Sequence, residues 1–154
     1  MKIFFSILAG LLVIGLIVFT NLCPCGPVPG AWLLGDEPQG AVTDWSFVND
    51  RDIAPLCQVQ INTWRPHSIN LNCMSDGGKL YISCSNCASK NWSNNALVYP
   101  DGYLRAGSTV YPVQLRRVTD ALELDVAWTA RLNKIQREAT PRPDHWWSFE
   151  LRSR

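Results

Sequence analysis

Cys57-Gln58-Val59-Gln60-Ile61, Ile69-Asn70-Leu71-Asn72-Cys73 and Leu80-Tyr81-Ile82-Ser83-Cys84 are three short runs in which apolar residues recur at every second position. A period of two marks a strand with one buried face, and the turn-forming residues between the runs read as hairpin connections. In the second connection, Asp76-Gly77-Gly78-Lys79, the glycines supply the positive φ that a tight turn requires. A hairpin turning at 62–66 predicts Ile61 opposite Ile69, Val59 opposite Leu71 and Cys57 opposite Cys73. The Gly77-Gly78 turn predicts Leu71 opposite Cys84 and Cys73 opposite Ile82. Apolar meets apolar at every pair, so the three-strand meander is self-consistent.

The rest of the domain builds outward from this meander. Upstream, 44–52 is a polar entry segment carrying Trp45 and Phe47. Downstream, 86–95 reads as a loop holding Cys87, Lys90 and Trp92. Residues 103–118 read as a long strand or a bent pair, with the bend at Gly107-Ser108 and Pro112 marking an edge or bulge. Asp120 with Glu123 three residues on is a helix N-terminal signature. Leu124, Trp128, Leu132 and Ile135 then fall on one helix face, and Thr140-Pro141-Arg142-Pro143 stops the helix. Residues 145–151 predict a final strand. The expected fold is α+β: an N-terminal transmembrane helix, then an antiparallel β-meander barrel with one long late helix.

The chain has 154 residues, of which 47% are hydrophobic and 18% charged, and its mean hydropathy is near zero. That is one domain's worth of chain, and too apolar for a disordered protein. Fourteen Lys and Arg against 13 Asp and Glu leave a net charge of +1. No broad basic field exists to collect phosphates, which argues against nucleic acid as the partner.

Residues 3–20 form an uncharged apolar run that as a helix would span roughly 27 Å, enough for a bilayer core. Lys2 precedes the run and the next charges are Asp36 and Glu37, so the positive-inside rule places the N-terminus in the cytoplasm and the domain outside, periplasmic or extracellular. The expected organisation is a lipid-spanning anchor at 1–22, a Pro/Gly-rich linker at 23–43 and a barrel domain at 44–154. The alternatives for the first segment are a cleaved signal peptide and lipid attachment at Cys23. Trp32, in the linker, suits either a membrane surface or packing on the domain.

Six cysteines fit an oxidising compartment. Cys57, Cys73 and Cys84 share the apolar face of successive strands, and Cys57 with Cys73 is within disulfide reach as a cross-strand pair. Cys84-Ser85-Asn86-Cys87 is a C-x-x-C motif at the end of a meander strand, which leaves a structural bridge or thiol–disulfide exchange open. Zinc fails on geometry, because Cys57 and Cys84 lie about 10 Å apart across two strands. His67 and His145 have no spacing for a joint ligand role. No phosphate-cradling glycine motif occurs, and Asn91-Trp92-Ser93 fits a glycosylation sequon. The polar face of the meander is less ordinary: Gln58, Gln60, Asn62, Asn70, Asn72, Ser83 and Ser85 are uncharged where a solvent face normally carries Lys and Glu. Such a face suits a planar polar ligand or another subunit.

The order strand, Pro66-His67-Ser68, strand, Asp76-Gly77-Gly78-Lys79-Leu80-Tyr81, strand, Lys90-Asn91-Trp92-Ser93-Asn94-Asn95 resembles the FMN-binding split-barrel superfamily. Its deazaflavin-dependent nitroreductase and pyridoxamine-phosphate-oxidase-like branches look nearest. Tyr103-Leu104-Arg105 through Arg117-Val118-Thr119-Asp120 continues the similarity, which covers roughly 44–138. The resemblance implies a six-stranded split barrel, often dimeric, binding FMN or a deazaflavin at its edge. It places Ser68 at the cofactor phosphate, and Lys90, Trp92 and Asn95 in a segment bordering the cofactor. The chain departs from that pattern beside Ser68, where Pro66, His67 and Ile69 replace the basic residue and glycine, leaving Arg65 and Lys90 as the main cations.

Two functions follow as expectations: a non-catalytic binding or accessory subunit of a membrane complex or a homodimer, or a flavin- or deazaflavin-dependent oxidoreductase. Thiol–disulfide exchange at Cys84/Cys87 is a third.

Overall fold

The computed structural model describes residues 2–22, 29–65 and 67–154. Cys23, the lipid-attachment candidate, and Pro66 lie outside the described residues. Helix α1 (Lys2–Thr20) forms over the uncharged run. Its Ile3–Thr20 stretch is long and apolar enough to cross a membrane, and none of it is buried against the rest of the chain.

Six strands follow: β1 (Cys57–Ile61), β2 (Ser68–Asp76), β3 (Lys79–Ser85), β4 (Asp101–Ala106), β5 (Thr109–Arg117) and β6 (Trp146–Ser153). They close an antiparallel barrel in the order β1-β2-β3-β6-β5-β4, with β4 returning to β1. The alternating apolar residues point inward as their period demands. Val59, Ile61, Cys73, Leu80, Ile82, Leu104, Val113, Leu115, Phe149 and Leu151 are buried in one core. Trp45, beside a single 3-10 turn (Ser46–Asn49), stoppers one end of the barrel against Tyr111. At the seam between β4 and β1, a Cβ on Gly102 would lie 2.3 Å from the Gln60 carbonyl oxygen. Only glycine lets the two backbones approach this closely.

The β2–β3 register is the expected one, with Cys73 opposite Ile82 across a turn where Gly77 and Gly78 have φ of 54° and 77°. The β1–β2 register differs by two residues: Cys57 faces Leu71 and Val59 faces Ile69. A two-residue slip keeps every side chain on its own face, so alternation alone does not distinguish the two pairings. β1 is also held on its other edge by β4, with Ile61 opposite Gly102. Cys57 still bridges Cys73, reaching diagonally over a Cα–Cα distance of 5.7 Å. A crosslink closing a loop of this size stabilises by roughly 3 kcal/mol in the chain-entropy account. Cys84 bridges Cys87.

The segment expected to be a loop at 86–95 contains a 3-10 turn (Cys87–Ser89) and a helix, α2 (Asn91–Val98). Ser93 is buried and its hydroxyl donates to the Cys87 and Lys90 carbonyls, which ties the helix start to the turn. Helix α3 (Ala121–Lys134) begins at Asp120, whose side chain accepts from the Glu123 N–H as its sequence implies. Arg116 fastens this end further, 2.7 Å from Glu123 and 2.6 Å from Glu150. The helix covers the outer face of β2, β3 and β6. Ala127 and Ala130 are buried there with Met74, Tyr81 and Trp146, and Leu124 and Trp128 pack against them.

Lys134, on the last turn of α3, is buried rather than solvated, at 6% exposure. Its ammonium donates to the Val48 and Ala54 carbonyls at 2.6 Å each and lies 3.4 Å from Cys73 Sγ. It joins the helix end, the entry segment and the Cys57–Cys73 bridge. Burial, reinforced by Arg51, pulls its pKa from 10.5 down to about 8. Lys134→Met leaves two buried carbonyls without a donor and is expected to cost about 1–3 kcal/mol in urea unfolding. Because the folded value is depressed, the unfolded chain binds more protons between pH 8 and 10.5. Stability attributable to Lys134 therefore rises with pH across that window. Wild-type and K134M stability curves that run parallel there would contradict the assignment.

Candidate functional site

β1, β2 and β3 turn their second set of side chains outward. Along this outer face Asn70, Asn72, Ser83 and Ser85 floor a cavity of about 300 Å³, walled by Leu56, Trp146, Lys90 and Arg131. A neighbouring cavity of about 370 Å³ shares Leu56 and Asn70 and extends to Gln58 and Arg105. Together they form a groove with an amide and hydroxyl floor. No Asp or Glu is among the described residues that line it. Arg105 is engaged, donating to Gln58 Oε1 at 2.7 Å and to the Leu34 carbonyl. Arg131 reaches the groove from α3, its guanidinium 5.3 Å from the centre of the Trp128 ring. Burial, and after it the Arg137 charge, lowers its pKa. Two cations without a carboxylate beside them suit an anion, and the amide floor offers donors and acceptors to a polar body.

Of the four residues that the family resemblance singled out, Lys90, Trp92 and Asn95 lie in one stretch at the start of α2 and Ser68 at the first residue of β2. Lys90, just before α2, lines the groove. Trp92 is buried and packs 5.4 Å from the Phe149 ring, stoppering the barrel end opposite Trp45. Asn95 lies one turn further along α2, half-buried, its carbonyl accepting from the Tyr99 N–H. Ser68 is fully buried, and its backbone N–H and C=O both bond Gly30, at 3.0 and 2.8 Å.

Gly30 begins a strap that crosses the outside of the barrel. Leu33 N–H donates to the buried Gln60 side chain at 2.6 Å, Arg105 holds the Leu34 carbonyl, and the Asp36 carbonyl accepts from Val110 N–H. Gly35 passes so near Val110 that a Cβ there would lie 2.8 Å from its methyl group. Gln60, which the sequence groups with the amide face, thus serves the strap and not the groove. Asn62, also of that group, lies past the end of β1, where its N–H bonds the Asp101 carbonyl.

Cys84, 7% exposed, borders the groove, while Cys87 is fully buried; Asn86 between them adopts φ 54°. Among the described residues, no three His, Cys, Asp or Glu side chains are grouped to hold a metal. Arg131 was not signalled by the sequence: helical spacing picks out the apolar face of α3 and is silent on where a basic neighbour lands.

No family model and no curated protein matches the sequence. Among solved structures, the chain is similar to a Listeria innocua protein described as a candidate pyridoxamine 5′-phosphate oxidase. The TM-score is 0.52 at 10% identity, over 62% of this chain and 81% of the other. A candidate 5-nitroimidazole antibiotic resistance protein from Bacteroides thetaiotaomicron matches with TM-score 0.56 at 10% identity, over 75% and 85%. A NimC/NimA family protein from Clostridium acetobutylicum matches with TM-score 0.51 at 11% identity, over 72% and 84%. At these identities the likeness shows the split-barrel fold.

The cover over Ser68 depends on Gln60. Gln60→Leu leaves the buried Leu33 N–H without an acceptor and is expected to cost about 1–3 kcal/mol. Amide exchange should accelerate at Leu33 and Ser68 while the β3 and β6 amides stay protected. Unchanged exchange at both residues would mean that the strap is held some other way.

Proposed function

We propose that the chain is a membrane-anchored, extracytoplasmic split barrel acting as a non-catalytic binding or accessory domain, with an anionic group of its partner seated in the groove over β1–β3. The span of α1 supports the anchor, and the single positive charge ahead of it supports an outward-facing barrel. The Cys57–Cys73 and Cys84–Cys87 bridges suit an oxidising compartment.

The observation that carries the non-catalytic reading is Gly30 on Ser68. A cofactor phosphate at Ser68 would have to displace the strap, breaking both backbone hydrogen bonds there and loosening the Leu33–Gln60 contact next to it. The burial of Trp92, whose ring packs on Phe149, supports the same reading.

A flavin or deazaflavin oxidoreductase is the second reading. Its support is that Lys90 and Arg131 line one cavity, where two cations suit a phosphate, and that the Listeria neighbour is described as an oxidase. A bound flavin would supply the electron transfer, and the chain would hold and orient it.

Absorbance of the detergent-purified full-length protein, before and after incubation with FMN or a deazaflavin, separates the readings. A colourless protein that retains neither cofactor is the expected result. A near-stoichiometric yellow complex, weakened by Lys90→Ala and Arg131→Ala, would overturn the non-catalytic reading in favour of the second.

A further inference from the structure

The barrel has two chemically unlike ends. One is formed by the turn at Gly77-Gly78, the turn at Gly107 and the entry segment. Asp44, Asp50, Asp52 and Asp76 are exposed around it and outnumber the exposed cations Arg51 and Lys79 there. The other end gathers the last residues of β1, β3 and β5 and the first of β2, β4 and β6, with the connection 62–67 and helix α2 projecting from it. No Asp or Glu occurs in 62–67 or 86–100, which hold Arg65, His67 and Lys90; the acids nearest them are Asp101, paired with Arg154, and the exposed Asp120, with Glu138 and Asp144 on the connection into β6.

This second end also displays large exposed apolar side chains. Trp64 is 81% exposed, Val98 68%, Tyr99 49% and Leu97 48%. Trp32, on the strap beside the same end, is 46% exposed. The Arg65 guanidinium lies over the Trp64 ring, 4.2 Å from its centre. Aromatic rings with polar tips, flanked by cations, partition to the headgroup layer of a bilayer, where the ring is desolvated and the cation meets phosphates.

The path of the chain says which surface covers this end. α1 ends at Thr20, and Gly30 is bonded to Ser68 at the first residue of β2. Ala31 N–H donates to the Leu22 carbonyl at 2.9 Å, so the end of α1 is held against the same barrel end. A helix that leaves the bilayer there brings Trp64 and the α2 tip to the lipid and turns the acidic end away from it.

We infer that the barrel end carrying Trp64, Arg65, Leu97, Val98 and Tyr99 rests on the lipid headgroup layer, so that the domain lies on the membrane and is not suspended above it. This rests on α1 being the membrane anchor. It adds a second, peripheral contact that fixes the orientation of the groove relative to the bilayer.

The test uses the full-length protein in phosphatidylcholine/phosphatidylglycerol vesicles, with and without lipids brominated near the head of the acyl chains. Trp64→Phe is the reporter, since so exposed a ring is not needed for folding. The fluorescence difference between wild type and W64F reports Trp64; it is expected to shift to the blue on reconstitution and to lose most of its intensity to bromine. Extraction of the chain from these vesicles by alkaline carbonate would show that α1 is not an anchor, and would remove the proposal with it. Retention with an unquenched difference signal would overturn the proposal alone. A difference signal that shifts blue only as the protein oligomerises, without bromine quenching, would assign this end to a second subunit and also overturn it.

Discussion

Everything in this domain depends on β1, five residues long, finding β4 across the seam of the barrel. Three strands from one meander meet three from later in the chain at two joins, β3–β6 and β1–β4, and closure removes the open edges that would otherwise invite aggregation. Gly102 permits the approach, the Cys57–Cys73 bridge holds β1 to its other neighbour, and the strap lies across the outside of the joint. The seam combines a missing side chain, a covalent bond and a buried side-chain-to-backbone hydrogen bond, three devices that fail under different insults.

The interior is filled from the ends as much as from the walls. Trp45 and Trp92 come from segments outside the sheet and close opposite mouths of the barrel. A six-stranded barrel is narrow enough for side chains to fill it. The space that remains for a ligand is therefore on the outer face, where amide side chains and the α3 and α2 cations meet. Lys134, one turn further along α3, locks that helix to the entry segment, so the position of Arg131 follows from a buried cation beside it.

Much of this was legible in the sequence. The three alternating runs placed β1, β2 and β3, Asp120 with Glu123 marked the start of α3, and the C-x-x-C and the Cys57/Cys73 pair proved to be bridged. What was hidden has physical reasons. A period of two is blind to a slip of two, which is why the β1–β2 register moved while its faces did not. Asn91 to Val98 is short, with three asparagines and a β-branched end, and its helix is held by Ser93 bonding back to the preceding turn. The strap, Gly-Ala-Trp-Leu-Leu-Gly-Asp over 30–36, has no periodicity to read. Its hydrogen bonds go to the barrel and not to itself, so nothing local announces it. The groove was half visible: the amide face stood out by composition, but Gln60 belongs under the strap and Arg131 arrives from a distant helix.

The strap also separates address from architecture. All its attachments to the barrel begin at Gly30 and run toward Asp36, downstream of the stretch that joins it to α1. A cut in that joining stretch would part α1 from the barrel and leave the strap, the seam and both stoppers in place. The fold of the barrel and the shape of its groove are thus independent of what becomes of α1.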